Sequence, residues 1–445
     1  MNHRSYLALA IPLTLSTITT PLIGAVDTAV VGQLPNPAYL GGVAIGTVIF
    51  NTLYWLFGFL RVSTSGFAAQ ALGANDEKQS ILAFLRPFIL AIAAGIGFIL
   101  LQGPIEHVSL TLMNPDAEVR RYAAEYFSIR IWGIPFTLMN YVILGWLMGM
   151  SKIKVSLVLQ VFMNLMNIAL DVLFVHVFEW GVAGVAIATL LSEVTAFFIG
   201  LIVIVKASPH RMELPPLNEM FNLSSLKKMM SVNRDLFIRT LCLLAVFNIF
   251  TAKGASYGTE VLAANAVLIQ IHYMMAYFFD GFANASSILV GKAIGARDRH
   301  LYKKTLSLSL QWGILSSLMM AVSYYLFGDT ILPLFTRIRS VIELASMYGT
   351  WLILFPLTAS VGIVFYGVFT GATEAAPIRN SMIYSLIAFV ITLHIFVPVY
   401  QNHALWLAFT VFSLGRSVFL AMYIPRLSKK LFSNRSVCLE NDQMV

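Results

Sequence analysis

Apolar runs of about twenty residues, each long enough to cross a ~30 Å hydrocarbon core, recur along the whole chain with short polar stretches between them. The pattern predicts helical spans near 6–33, 40–72, 81–107, 122–150, 155–178, 182–206, 235–256, 260–294, 304–327, 343–371, 379–401 and 403–425. Turn-forming residues punctuate them, as in Pro35-Asn36-Pro37 and Gly73-Ala74-Asn75. The first run, from about Tyr6 to Val31, contains an acidic residue and lacks a small-residue cleavage pattern. It is expected to be a spanning helix rather than a cleaved signal peptide.

Composition agrees: of 445 residues, 58% are hydrophobic and only 11% charged, too much apolar surface for a soluble protein to hide. The formal charge of +8 needs no nucleic-acid partner, because basic loops on one side of a membrane account for it. With the N-terminus inside, eighteen basic residues, from Arg4 and Lys78 to Lys430 and Arg435, fall on the cytoplasmic side. Only five, Arg120, Arg121, Lys253, Arg337 and Arg339, fall outside. That asymmetry places both termini in the cytoplasm. Cys242 in an apolar run and Cys438 in the polar tail imply no disulfide.

The chain repeats itself. Leu40-Gly41-Gly42-Val43-Ala44 resembles Leu262-Ala263-Ala264-Asn265-Ala266, and Ala71–Asp76 resembles Ala293–Asp298, both at an offset of 222. Pro135 and Pro356, Gly149 and Gly371, and Thr189 and Thr410 continue the register within one residue. Six spans per copy put the copies in the same membrane orientation, the parallel-repeat arrangement in which two bundles rock to give alternating access. The expected fold is all-α and integral to the membrane, with twelve helices in two six-helix bundles. Its parts are an N-terminal lobe over 1–206, a cytoplasmic linker over 207–234, a C-terminal lobe over 235–425 and a cytoplasmic tail over 426–445.

An ionisable group in hydrocarbon is costly, so each one asks for a reason. Asp27 lies in the first helix; Asn164, Asn167 and Asp171 are spaced three and four apart in the fifth, hence on one face; Thr189 and Ser192 share a face of the sixth. At 1.5 Å per residue, Asp27, Asp171 and Thr189 all sit roughly 9–12 Å below the outer surface. Convergence would push one carboxylate pKa upward, as a proton carrier needs, or would let oxygens of Asn167 and Thr189 complete a sodium cage. Separate structural hydrogen bonds are the plainer alternative. Pro12 and Pro21 interrupt the first helix and could bend it. Phe136, Met139 and Met163, with Asn164, are candidates for a substrate cleft, although most aromatic and Met residues in so apolar a chain are core or lipid-facing. Asp280 and Arg416 each suit a structural ion pair rather than the transport site, Arg239 suits snorkelling, and Glu193 is open between facing the cleft and pairing across helices.

Val26-Asp27-Thr28-Ala29-Val30-Val31-Gly32, Asn167–Asp171 and Gly184–Thr189 resemble motifs of the multidrug and toxic compound extrusion (MATE) transporters. Asp280-Gly281-Phe282-Ala283 and Gly295-Ala296-Arg297-Asp298 resemble the DinF branch in particular. The resemblance implies antiport of diverse, often cationic organic compounds against protons or sodium. It also implies a cation site at the positions of Asp27, Asn167, Asp171 and Thr189. No cofactor beyond the coupling ion is expected. A monomer in the bacterial inner membrane, in contact with lipid, is the expected form. A lipid-linked oligosaccharide flippase is the alternative in the same superfamily, and it should carry several basic residues in its cleft. An intramembrane enzyme lacks support, since the spans hold no HExxH-type pair and no believable nucleophile–base pair.

Overall fold

The computed structural model describes residues 2–31, 37–207 and 215–432, with the side chains of 19–31 and 37 left out. Sixteen α-helices make up this part of the chain: α1 His3–Val31, α2 Pro37–Phe57, α3 Phe59–Gly73, α4 Glu77–Leu100, α5 Gln102–Met113, α6 Ala117–Arg130, α7 Ile134–Gly149, α8 Ile153–Asp171, α9 Gly181–Ala207, α10 Leu217–Met220, α11 Leu223–Ala255, α12 Thr259–Gly295, α13 Arg299–Ile331, α14 Arg339–Gly371, α15 Ala376–Met422 and α16 Ile424–Phe432. Ten stretches among them are long and apolar enough to cross a bilayer. The last of these breaks at Gln401, whose backbone (φ 47°, ψ −121°) is not helical, and so counts as two crossings. With the 29-residue α1, twelve result.

Several expected spans are interrupted. Gly58 separates α2 from α3, Leu101 separates α4 from α5, and a 3₁₀ turn over Ile131–Gly133 joins α6 to α7. The segment expected as a linker holds α10 and the first turns of α11. Arg86 caps α10, donating from Nη2 to the Glu219 carbonyl (2.7 Å) and from Nε to that of Met220 (3.2 Å).

Two compact units emerge from the packing. One holds residues 18–72 and 76–229; the other holds 1–17, 73–75 and everything described from 230 onward. In the first, α7 is the central helix: Leu138, Val142, Ile143, Trp146 and Leu147 are all buried, and the Trp146 indole donates to the Ser80 carbonyl at 3.0 Å. In the second, α14 holds that position, with Leu352, Ala359, Val364, Val368 and Phe369 buried. The start of α1 belongs to this second unit. Tyr6, wholly buried, shares a hydrogen bond with Ser286 at 3.1 Å, and the Thr17 hydroxyl donates to the Tyr277 carbonyl at 2.7 Å.

The internal repeat is visible down to single residues. Asp76 caps α4 by accepting from the Gln79 amide (2.9 Å), and Asp298 caps α13 by accepting from the Leu301 amide (2.8 Å). The residue before each cap is left-handed, Asn75 at φ 51° and Arg297 at φ 52°; Ser151 and Thr373 form a second such pair. Close helix contacts match as well. A Cβ on Gly145 or Gly149 would collide with the Arg61 or Ser65 carbonyl oxygen of α3. One on Gly367 or Gly371 would collide with the Ala283 or Ser287 carbonyl oxygen of α12. Each copy thus uses a Gly-x-x-x-Gly stripe to bring two backbones together, the close packing that lipid-embedded helices rely on.

Candidate functional site

Helix α8 is built inside out. Its buried face carries Gln160, Asn164, Asn167 and Asp171, while Val158, Leu165 and Phe162 point outward. In water this would be perverse, but lipid accepts the apolar face and the polar groups must find partners inside. Exposure falls along the face from 9% at Asn164 to 3% at Asn167 and none at Asp171.

The neighbouring α9 supplies those partners. The Asn167 amide donates to the Thr189 hydroxyl at 3.2 Å, and Thr189 passes its own proton to the Val185 carbonyl at 3.0 Å. Ser192 donates to the Thr189 carbonyl at 2.8 Å. The Asn167 carbonyl oxygen is buried and accepts no hydrogen bond among the described residues. Immediately after Asp171 the chain widens into a π-helical turn over Val172–Val177, closed by stacking of Phe174 on Trp180 at 4.9 Å between centroids. Such widened turns recur at functional sites because they redirect side chains within a helix.

Of the residues expected in the site, Asn167 and Thr189 are in contact, and Asp171 lies one turn further along the same buried face. Asp27 and Pro21 belong to α1, but their side chains lie outside the described residues. Pro12 is half-buried within a helix that runs on past it. Met163 is half-buried on α8, Met139 is buried in the core of the first unit, and Phe136 packs edge-on against Phe197 at 5.5 Å. A cavity of about 380 Å³ opens elsewhere, between α5 and α6, beside Glu106, His107, Arg120 and Arg121. No group of three His, Cys, Asp or Glu side chains comes together among the described residues.

For Glu193 the sequence left open the cleft or a pair across helices, and the structure shows the pair. Arg130 of α6 holds Glu193 with two hydrogen bonds, Nη1 to Oε2 at 2.8 Å and Nη2 to Oε1 at 3.1 Å. Nη2 also donates to the Tyr54 hydroxyl at 2.8 Å, and the Asn140 amide donates to the Glu193 carbonyl at 2.9 Å. The guanidinium lies over the Phe50 ring, 5.2 Å from its centre. The pair fixes α9 to α6 and α7 one turn beyond Thr189. Two opposite charges at membrane depth were the available signal.

The second copy does not repeat the polar face. Positions 222 residues beyond Asn167 and Asp171 are Phe389, buried in the core, and Leu393. Duplicated folding with one-sided chemistry defines a polytopic membrane protein whose two bundles are structurally alike and chemically distinct.

The MatE family model matches twice, over residues 12–173 and 236–397, once in each copy. The chain belongs to the MatE family, a family of membrane transporters and not of enzymes. It is 36% identical to DNA damage-inducible protein F of Escherichia coli K12 across 93% of this chain and 90% of that one. It is 22% identical to multidrug resistance protein MdtK of Proteus mirabilis, covering 84% of this chain and 83% of the relative. A crystal structure of MATE in the bent conformation shares the fold at a TM-score of 0.86, with 21% identity and 96% of each chain covered.

Proposed function

We propose that this protein is a secondary active multidrug exporter, moving small organic, mostly cationic compounds outward against protons or sodium by alternating access. The observation that carries the reading is the inward polar face of α8: a wholly buried carboxylate, Asp171, one turn from an Asn167 amide that is hydrogen-bonded to Thr189. Groups of this kind carry a proton or a small cation, since burial disfavours the charged carboxylate until a cation joins it. Asn167 contributes a buried carbonyl oxygen, a hard donor suited to sodium. Asp27 completes the coupling site in this reading, and Asn164, Met163, Phe136 and Met139 belong to the substrate path.

The basic-loop asymmetry supports cytoplasmic termini in a bacterial inner membrane, and the protein acts as a monomer. The names of relatives such as multidrug resistance protein MdtK agree with drug export.

The test is dye efflux from membrane vesicles under an imposed pH or sodium gradient, comparing wild type with Asp27→Asn and Asp171→Asn. Wild type should export in response to one gradient, and both variants should lose that response while remaining inserted and folded. Retention of gradient-driven efflux by both variants would overturn the coupling assignment. Scrambling of lipid-linked sugars without dye transport would favour the flippase instead.

A further inference from the structure

The groove between α5 and α6 lies within the first unit, at the level where these helices leave the hydrocarbon. At 1.5 Å per residue the 24-residue α4 is about 36 Å long, enough to cross a ~30 Å core before the chain breaks at Leu101. From that break on, α5 turns one face to lipid: Leu101, Val108 and Leu112, seven and then four residues apart, are 56%, 55% and 81% exposed. A short helix with such a face rests at the headgroup boundary. Its other face, with Glu106 and His107, meets a single face of α6 formed by Ala117, Arg120, Arg121 and Ala124.

Between the two faces is a cavity of about 380 Å³, kept open by the small side chains of Ala117 and Ala124. Among the described residues, the side chains of Glu106, His107, Arg120 and Arg121 form no hydrogen bond and no ion pair. Arg121 lies only beside the Tyr122 ring, its guanidinium carbon 5.8 Å from the centre. Elsewhere in this unit opposite charges do pair, as in Lys78–Glu219 and Arg130–Glu193. Here a carboxylate on one wall and two guanidinium groups on the other border the same space without touching. A ligand seated between them meets both signs of charge.

We propose that this groove binds a zwitterionic phospholipid headgroup, its phosphodiester held by Arg120 and Arg121 and its primary ammonium by Glu106. Guanidinium forks match the paired oxygens of a phosphate, and a carboxylate accepts the ammonium's hydrogen bonds. The apolar row on α5 favours a lipid over a soluble phosphate ester, because it sets the groove at headgroup depth. In the proposed topology the site faces the outer leaflet. It is independent of the coupling residues on α8 and α9.

The experiment places the purified full-length protein in nanodiscs of equal phosphatidylethanolamine and phosphatidylglycerol, and native mass spectrometry counts the lipids it keeps. Wild type should keep phosphatidylethanolamine over phosphatidylglycerol by about twofold to fivefold, the worth of one partly exposed ion pair. Glu106→Gln should erase that preference, because the ammonium loses its partner. The Arg120→Gln/Arg121→Gln double variant should keep less of both lipids, whereas Arg337→Gln, at an exposed arginine of the second unit, should change nothing. Ala117→Phe keeps every charge but fills the groove, and should lose the selective lipid as well. That variant separates a shaped site from general attraction between basic residues and phosphate. All these positions are exposed or half-buried, so the variants should keep the fold. The site is refuted if wild type shows no preference between the lipids, or if the variants at Glu106, Arg120 and Arg121 keep lipid as wild type does. A rise in thermal unfolding midpoint with soluble phosphoethanolamine, without selective lipid retention, would overturn the lipid assignment.

Discussion

Arg130 and Glu193 show what a single buried charge demands of its surroundings. Their side chains are 4% and 9% exposed, and the ion pair is bidentate. Removing one partner strands the other, so Arg130→Met should cost about 3–5 kcal/mol. The Arg130→Met/Glu193→Leu double variant should regain most of that, because well-packed apolar groups often replace a buried pair without loss. Thermal unfolding of the three proteins in detergent checks both statements, and a double variant no more stable than the single one would contradict the second. The α8 face could be read from sequence because Asn164, Asn167 and Asp171 are helical neighbours, and local spacing alone places them together. The Arg130–Glu193 pair could not, because 63 residues and two intervening helices separate its members and only tertiary packing joins them.

At the scale of elements, the two Gly-x-x-x-Gly stripes and the break at Gln401 do the shaping. Gly145→Leu and Gly367→Leu should each destabilise their own unit by about 1–3 kcal/mol or more, since the side chain meets a backbone carbonyl that cannot swing aside. Similar drops in folded yield, measured by size-exclusion fluorescence, would show the repeat to be mechanical as well as sequential. At the break, Asn265 and Asn402 exchange hydrogen bonds at 2.7 and 3.0 Å, and the Trp406 indole adds a third at 2.9 Å to Asn265. Asn265→Leu leaves those buried partners unmatched and should cost about 1–3 kcal/mol for each. Gln401→Gly should be neutral or stabilising, because glycine adopts φ 47° without strain. The end of one span at Gln401 was legible as a dip in the apolar run. The interruptions at Gly58 and Leu101 were not, because the hydrophobic signal continues straight through both.

For the whole molecule, duplication was the most legible feature, because turn and cap chemistry is conspicuous in sequence: Asp76 and Asp298, with their left-handed predecessors, recur at one spacing. The cytoplasmic termini proposed from loop charge predict that a fluorescent protein fused after residue 432 folds and fluoresces in the cytoplasm, whereas a periplasm-dependent alkaline phosphatase at the same point stays inactive. What the repeat conceals is that copied sequence and packed unit do not coincide. Residues 3–17 are encoded with the first copy, yet Tyr6, Ala10 and Leu13 are buried within the second unit. If the gene is cut in the 207–214 loop and the two fragments are expressed together, the first fragment carries a piece of the second one's core. The fragments should therefore copurify as a stable pair, and the later fragment expressed alone should be degraded. The first helix thus works as a strand of shared ownership, binding the two descendants of one ancestral gene into a single inheritance.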